Sequence, residues 1–341
     1  MHKLPTKTMN NVYPIHVERS VPQPFKVINW KLHNVCNYSC SFCGKGNNSG
    51  NERWLSLEKY KSIVDKIVEA CAGTPFYIVF TGGEPTLYPD LIELLQYSKN
   101  KGAWNILASN GSRTMRWWKE LAKINNILTR LALTYHAEQT VDYNNIADIM
   151  NLFLNFETET VCEVTHTKDN IPQAINAFNY LINNTGGIID IKGMNINEYD
   201  IYDLYSEEEL SIIKQASYKP GILTNIKKKS PIPNKLRLGA ELLVTNNLGI
   251  TKNINVQQLM KNKWNKFLGW ECQVGKDFLD INFQTINRSV CGVTGPIGHV
   301  DDPKYNFSNN AVICNKVTCQ CFHDLLTTKT KQNNEIPVFN K

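Results

Sequence analysis

Residues 26 to 217 alternate between short apolar runs and amphipathic stretches, and this alternation constrains the fold more than any other feature of the sequence. Six runs rich in β-branched and aromatic residues predict strands at residues 27–32, 76–80, 104–108, 127–135, 160–165 and 188–194. Segments with apolar residues at helical spacing follow them, at residues 57–71, 90–101, 112–124, 144–156, 172–183 and 206–217. Strands separated by helices pair in parallel through right-handed crossovers. We therefore predict an α/β fold, a partial (β/α)6 barrel, because the two further units of a closed eight-fold barrel are not found.

Three cysteines stand close together after the first predicted strand. Cys36, Cys40 and Cys43 have the spacing C-x3-C-x2-C, and Phe42 directly precedes the third. Three thiolates on one short loop can hold three irons of a [4Fe–4S] cube and leave the fourth iron without a protein ligand. An iron with an open position can bind a substrate or a second cofactor, so the triplet indicates chemistry rather than electron storage. Taken alone, the triplet is also compatible with a zinc loop.

Polar and glycine-rich motifs follow the next three predicted strands. Gly82-Gly83-Glu84-Pro85 comes after the second strand, Ser109-Asn110 after the third, and His136 after the fourth. Ligands of open parallel sheets bind at the carboxyl ends of the strands. We therefore expect these motifs and the cysteine loop to converge on one active site.

Together these motifs resemble the radical S-adenosylmethionine (radical SAM) superfamily. The triplet with its aromatic residue matches the family signature, residues 80–86 contain the family's GGEP motif, and residues 108–112 resemble its ribose-contact strand end. The resemblance covers about residues 26–215. It implies that Cys36, Cys40 and Cys43 hold a [4Fe–4S] cluster completed by S-adenosyl-L-methionine (SAM). It also implies that an electron donor such as flavodoxin or ferredoxin drives reductive cleavage of SAM to methionine and a 5′-deoxyadenosyl radical, which abstracts hydrogen from a substrate.

The resemblance also assigns roles to the strand-end residues. The backbone at Gly82 and Gly83 is expected to bond the methionine amino group, with Glu84 nearby and Pro85 fixing the turn. An ordinary strand-to-helix turn is the structural alternative. Ser109 and Asn110 are expected to contact the ribose, and a polar turn is the alternative. Phe42 is expected to line the adenine pocket, and simple packing is the alternative. His136 is expected to contact SAM or substrate or to donate a proton, and a structural histidine is the alternative.

Five more cysteines lie in the last seventy residues, namely Cys272, Cys291, Cys314, Cys319 and Cys321. Residues 278–283 and 288–290 are predicted to pair as a hairpin that brings the first two together. The arrangement resembles the SPASM or twitch extensions of the family and implies an auxiliary [4Fe–4S] cluster. Full SPASM domains carry seven or eight cysteines, so five imply one four-ligand site with a spare cysteine that the sequence does not identify. Zinc held by Cys314, Cys319, Cys321 and His323 is the alternative.

Four regions are predicted along the chain. They are an N-terminal extension (1–25), a radical SAM core (26–217), a linker region (218–265) and a small cysteine-rich auxiliary domain (266–341). The linker is suggested by Pro220-Gly221 and by the proline-rich residues 230–233. Two isolated cysteines, Cys71 and Cys162, fall on a helical apolar stripe and in a strand, so we predict that both are buried packing residues.

Composition narrows the class of protein further. The 341 residues carry a formal net charge of +6, which is compatible with an anionic substrate but too weak to indicate nucleic-acid binding. No apolar run reaches the roughly 18 residues of a membrane span, and residues 1–20 lack the apolar core of a signal peptide. Ten cysteines without such a signal indicate metal or redox work in a reducing compartment. We therefore expect a cytoplasmic protein.

The predicted function is a radical SAM enzyme whose substrate is a ribosomally made peptide, modified by oxidation, cross-linking or epimerisation. This follows from the resemblance, because such extensions most often serve peptide modification. The alternative enzyme is a dehydrogenase or rearrangement enzyme acting on a sugar or nucleotide. An alternative of another class is a non-catalytic iron–sulfur or zinc-binding protein. RNA modification is disfavoured, since no basic, aromatic-rich appendage is visible.

Overall fold

The computed structural model describes most of the chain. The described residues are 12–193 without 22, 45, 141, 155 and 157, then 206–208, 211, 219–220, and finally 241–332. Within these ranges no helix is long and apolar enough to cross a bilayer.

Strands and helices are numbered in chain order over the described residues. The strands are β1 (Pro14–Arg19), β2 (Lys26–Lys31), β3 (Phe76–Thr81), β4 (Trp104–Ser109), β5 (Arg130–His136), β6 (Glu159–His166), β7 (Ile188–Gly193), β8 (Lys219–Pro220), β9 (Glu241–Asn246), β10 (Thr251–Asn255), β11 (Glu271–Cys272), β12 (Phe278–Asn282), β13 (Thr285–Asn287), β14 (Pro296–His299), β15 (Val312–Ile313) and β16 (Lys329–Thr330). The helices are α1 (Leu57–Ala70), α2 (Leu91–Asn100), α3 (Met115–Ala122), α4 (Asn144–Leu154), α5 (Ile171–Asn184), α6 (Val256–Lys261) and α7 (Phe322–Leu325).

The larger sheet has ten strands in the order β14-β13-β12-β2-β3-β4-β5-β6-β7-β8. Strands β2 to β7 are neighbours in sequence order and run parallel, with α1 to α5 as their crossovers. The six predicted strands and the first five predicted helices are confirmed, with bounds that differ by a few residues. The α/β class is confirmed with them. The sixth predicted helix (206–217) lies mainly outside the described residues, and closure of the sheet as a partial barrel stays a prediction.

One face of the parallel strands carries the main core. Alternate residues such as Trp30, Phe80 and Leu133 are at most 1% exposed and pack with apolar residues from all five crossover helices. This alternation follows from the period of two along a strand. Cys71 and Cys162 belong to the same core at 2% and 0% exposure, so the prediction that they are buried is confirmed.

Strand β12 adds to the outer edge of β2 and runs parallel to it, with Phe278 opposite Val27 and Asn282 opposite Lys31. This pairing was not predicted. The predicted hairpin is correct in its first strand and wrong in its second, because β12 pairs with residues 285–287 rather than 288–290. Phe283 has a φ of 57°, which turns the chain directly after β12 and starts the return strand early.

A second sheet has the order β10-β9-β1-β16-β11-β15. Its apolar side forms a separate core that includes Phe267, Trp270 and Leu325. Strand β1, from the predicted N-terminal extension, lies between β9 and β16. Residues 241–261, within the predicted linker region, form the β9–β10 hairpin and α6. The division of the chain into domains stays a prediction.

Candidate active site

The cysteine triplet lies in the loop that follows β2. Cys36, Cys40 and Cys43 are free thiols and half-buried. The loop curls back on itself, since the N–H of Cys43 donates to the carbonyl of Cys40 at 3.1 Å and the N–H of Tyr38 donates to Cys36 Sγ at 3.4 Å. Burial raises the pKa of all three thiols, and that of Cys40 reaches about 12, with Glu138 and the two neighbouring thiols adding to the shift. Three soft donors on one loop fit the iron–sulfur chemistry predicted for them.

The glycines after β3 bring that strand end against the cysteine loop. The N–H of Gly83 donates to the carbonyl of His33 at 2.7 Å, and the N–H of Glu84 donates to the carbonyl of Val35 at 2.8 Å. A Cβ on Gly82 would overlap the carbonyl oxygen of His33, and a Cβ on Gly83 would overlap that of Val35. Gly82 also has a φ of 147°. Both positions therefore require glycine for the close approach of two backbones.

Glu84 joins the end of β3 to the end of β4. Its side chain is 1% exposed, and its Oε1 accepts from the Thr86 N–H and hydroxyl at 3.1 and 2.6 Å and from the Ser109 hydroxyl at 2.8 Å. Its Oε2 accepts from the Asn110 N–H at 2.7 Å. Burial raises the pKa of Glu84, and these four donors oppose that shift. Glu84 is thus a structural bridge, a role that the sequence did not reveal.

Asn110 continues the connection to the cysteine loop. Its Nδ2 donates to Oδ1 of Asn37 at 3.1 Å, and the Ser112 hydroxyl donates to the same oxygen at 3.2 Å. Asn37 lies directly after Cys36, so the end of β4 holds the triplet from one side. Nothing in the sequence pattern singled out Asn37.

The loop after β5 holds the triplet from another side. Nδ1 of His136 lies 3.2 Å from Cys40 Sγ, and its ring stacks on Phe42 with centroids 5.8 Å apart and planes inclined by 9°. Glu138 accepts from the N–H and hydroxyl of Ser41 at 2.5 and 2.7 Å, and Gln139 accepts from the Ser39 N–H at 3.1 Å. Burial lowers the pKa of His136 to about 4, so the imidazole is neutral near pH 7. Gln139 was not recognised from the sequence.

The structure therefore brings together the strand-end residues predicted to share one site. The loop after β2 is bonded to the strand ends of β3, β4 and β5 by the contacts described above. Their assignments as ligands of a cluster or of SAM stay predictions.

Among the five C-terminal cysteines, Cys272, Cys314 and Cys319 belong to the core of the second sheet and Cys291 packs against it. Cys272, Cys314 and Cys319 are at most 6% exposed, whereas Cys291 and Cys321 are half-buried. Burial raises the pKa of Cys272 to about 11, with Cys314 and Cys291 among the neighbours that add to the shift.

The described residues contain no preformed site for the zinc ion of the alternative interpretation. Among the residues that the structure describes, no three His, Cys, Asp or Glu side chains are grouped closely enough to hold a single metal ion. The His323 ring instead stacks on Phe278, with centroids 4.7 Å apart. A [4Fe–4S] cube requires a wider spacing of its ligands, because each thiolate binds a different iron and the thiolates therefore stand farther apart than around one ion.

Residues 30–205, just over half of the chain, match the family described as the Radical SAM superfamily. With the parallel sheet and the cysteine loop at its strand ends, this match shows that the chain belongs to the radical SAM superfamily.

Similar proteins share only part of the chain. Fe-coproporphyrin III synthase of Methanosarcina barkeri is 33% identical over 111 residues, which cover 32% of this chain and 26% of that protein. Mycofactocin maturase MftC of Mycolicibacterium smegmatis is 29% identical over 110 residues, covering 31% of this chain and 27% of that protein. The match thus spans about a quarter of the length of these curated relatives. Among solved structures, Streptococcus suis SuiB bound to precursor peptide SuiA has a TM-score of 0.47 and 14% identity, covering 83% of this chain and 62% of that one.

Proposed function

We propose that this protein reductively cleaves SAM and uses the product to remove a hydrogen atom from a substrate. The observation that carries the proposal is the contact of one cysteine loop with the ends of β3, β4 and β5. Gly83, Asn110 and His136 each provide one of these contacts. A loop fixed in this way presents three thiols at the carboxyl edge of the sheet, where parallel sheets bind their ligands.

Cys36, Cys40 and Cys43 would hold a [4Fe–4S] cluster, and SAM would complete it. When bound, the cluster and SAM supply one-electron cleavage of a carbon–sulfur bond and removal of hydrogen from the substrate. The residues of the chain bind, orient and exclude water. The N–H groups of Gly83 and Glu84 are already bonded to the cysteine loop. The N–H groups of an amine donate hydrogen bonds, so the methionine amino group would bond to backbone carbonyl oxygens of the GGEP segment.

Other residues would act mainly by holding these groups in place. Glu84 accepts hydrogen bonds from Ser109 and Asn110, so it is a positioning residue. Any ribose contact of Ser109 or Asn110 would be made in addition to these bonds. Phe42 would line the adenine pocket. The neutral His136 would hold Cys40 and Phe42 and face SAM or the substrate.

A peptide is the first candidate substrate. Its support is the relative named mycofactocin maturase and the resemblance of the C-terminal cysteines to extensions that serve peptide modification. A tetrapyrrole is the second candidate, favoured by the relative named Fe-coproporphyrin III synthase, which has the higher identity. In both cases an electron donor of the flavodoxin or ferredoxin type would reduce the cluster.

The C-terminal region, residues 266–341, would hold an auxiliary [4Fe–4S] cluster beside the radical SAM core at residues 26–217. Burial of several thiols around one core supports this proposal. Such a cluster suits the removal or return of a second electron during substrate modification.

Anaerobically reconstituted protein, incubated with dithionite and SAM, should release 5′-deoxyadenosine and methionine. Changing Cys43→Ala should abolish the release, whereas Cys71→Ala, which removes the core thiol directly after α1, should retain it. Absence of 5′-deoxyadenosine from iron-loaded wild-type protein would favour a non-catalytic binding protein and overturn the proposal.

A further inference from the structure

The sheet face opposite the main core changes from apolar to polar along β2 and β12. Side chains of the two strands meet on this face in three register pairs, which from the amino end are Val27–Phe278, Asn29–Asp280 and Lys31–Asn282. They share one face because Trp30 and Ile281, which lie between them, belong to the main core. The first pair belongs to a small apolar core, whereas the next two pairs are polar. This polar end lies where β2 leads into the loop with the cysteine triplet.

Asp280 is a buried carboxylate with one oxygen in use. It is 3% exposed, and its Oδ1 accepts from Nδ2 of Asn29 at 2.6 Å. Within the described residues Oδ2 accepts no hydrogen bond, and it is not among the polar atoms sealed from solvent. Among the charged neighbours of Asp280, Lys31 stabilises the carboxylate and Asp324 destabilises it. A buried carboxylate oxygen without a donor is costly, so Oδ2 is suited to a donor supplied by a ligand.

Two neighbours of Asp280 also have unused hydrogen-bonding groups. Oδ1 of Asn282 is buried and has no partner in the part of the chain that the structure describes. Lys31 is half-buried, and its ammonium makes no hydrogen bond or ion pair with any described residue. The ammonium can only donate, and the two oxygens can only accept. An amide group matches this set, because its N–H donates and its carbonyl accepts.

Building on the proposed function, we infer that Asp280, Asn282 and Lys31 form a substrate subsite that binds an amide group of a peptide. The amide N–H donates to Oδ2 of Asp280 or to Oδ1 of Asn282, and the amide carbonyl accepts from Nζ of Lys31. Asn29 is a positioning residue, because its bond to Oδ1 orients the carboxylate.

The subsite favours the first candidate substrate over the second. A tetrapyrrole with ionised carboxylate side chains would be attracted by Lys31 but repelled by Asp280. A peptide group is neutral and uses both side chains. Two of the three side chains come from β12, which lies outside the residues 30–205 that match the superfamily. The C-terminal region therefore contributes directly to substrate selection.

Binding of two probes tests the subsite. The amide probe is N-acetylalanylalanine methylamide and the carboxylate probe is coproporphyrin III, each dialysed to equilibrium against the reconstituted full chain loaded with SAM, without oxygen. Asp280→Asn keeps an oxygen for the Asn29 bond but removes the charge, so it should weaken binding of the amide probe about tenfold and strengthen binding of the porphyrin. Lys31→Met should weaken binding of both probes. Asp148→Asn, exposed on α4, is the matched control and should alter neither.

Opposite responses of the two probes to Asp280→Asn distinguish selection from damage, because misfolding would weaken both. Iron content of each sample reports folding, and where Asp280→Asn loses iron, Lys31→Met decides alone. Weaker binding of both probes to iron-loaded Asp280→Asn, no change in either, or a wild-type protein that does not bind the amide probe would overturn the subsite.

Porphyrin binding that needs Lys31 but is unaffected by Asp280→Asn would overturn it too, and would assign Lys31 to a tetrapyrrole carboxylate. The assay does not depend on cleavage of SAM. Absence of 5′-deoxyadenosine would therefore overturn only the proposed function, whereas these binding results overturn only the subsite.

Discussion

Nδ1 of His136, the last residue of β5, lies 3.2 Å from Sγ of Cys40 in the loop after β2. Strands β3 and β4 separate these two strands in the sheet. The cysteine loop therefore crosses the ends of both intervening strands, and His136 holds its far side. The neutral imidazole can do this without adding charge next to the thiols.

Replacing this anchor should loosen the loop. We expect His136→Ala to lower the rate of SAM cleavage about tenfold, equivalent to about 1.4 kcal/mol, and to reduce iron retention after gel filtration. His16→Ala, in β1 of the other sheet, is the matched control and should change neither. Iron content and cleavage rate equal to wild type would show that the Cys40 contact does not support the loop.

The glycine at position 83 tests the close approach of β3 to the cysteine loop. Gly83→Ala should separate the two backbones, because its Cβ would overlap the Val35 carbonyl and lies 2.8 Å from the Asn34 carbonyl carbon. We expect loss of most iron from the N-terminal site, measured by iron analysis and visible absorbance. Gly249→Ala, in a turn with a φ of 75° and nothing within 4 Å, should cost only about 1 kcal/mol of stability. Equal iron loss in both variants would contradict the specific role of Gly83.

Glu84 should matter for stability as well as for the site. Glu84→Gln places an amide NH2 where the carboxylate accepts from surrounding donors, so at least one buried hydrogen bond is lost. We expect a decrease of about 1–3 kcal/mol in the free energy of unfolding, measured by urea denaturation of the apoprotein, and weaker SAM binding by the reconstituted protein. Glu69→Gln, exposed on α1, is the control. If the two variants unfold at the same urea concentration, the bridge between β3 and β4 contributes nothing measurable.

His323 provides a pH test. Burial lowers its pKa from 6.5 to about 4, so the unfolded chain binds a proton more readily than the folded one between these values. The contribution of His323 to stability is therefore complete above pH 6.5 and is lost as the pH falls toward 4. The apoprotein of His323→Phe should show a weaker pH dependence in this window, by up to about 1.4 kcal/mol per pH unit.

Comparing the two proteins isolates this residue, since His33 and His136, whose pKa values are also about 4, are present in both. Urea denaturation at several pH values between 4 and 7 gives the measurement. Parallel curves would mean that His323 titrates normally in the folded state. Retention of about eight irons, two cubes, by reconstituted His323→Phe would also argue against the zinc alternative, in which the imidazole is a ligand.

The parallel strands and their helices were predictable because their signals are local. Residues 57–71 repeat apolar side chains at helical spacing, and residues 76–80 form a short β-rich run before two glycines. The pairing of β12 with β2 joins residues about 250 positions apart, and no local pattern encodes it. Strand β10 (Thr251–Asn255) is mostly exposed and lacks an apolar alternation, so its sequence does not differ from that of a linker.

In the candidate site, too, only the features with a local sequence signal were predictable. The cysteine triplet and the glycines were recognisable because their chemistry restricts the residue type. The bridging role of Glu84 was not, because it depends on the depth of burial and on donors from two other segments. Asn37, within the loop, accepts hydrogen bonds from Asn110 and Ser112, and Gln139 accepts one from the Ser39 N–H of the loop. Such contacts were not predictable, because common polar residues carry no distinctive pattern.

Since β12 covers the outer edge of β2, the strand that leads into the cysteine loop has a neighbour on each side. A chain cut before residue 278 would leave a row of backbone N–H and C=O groups unpaired along that edge. An unpaired edge strand of this kind readily pairs with a strand of another molecule. Truncation would thus yield a protein that associates with other copies through this exposed strand edge.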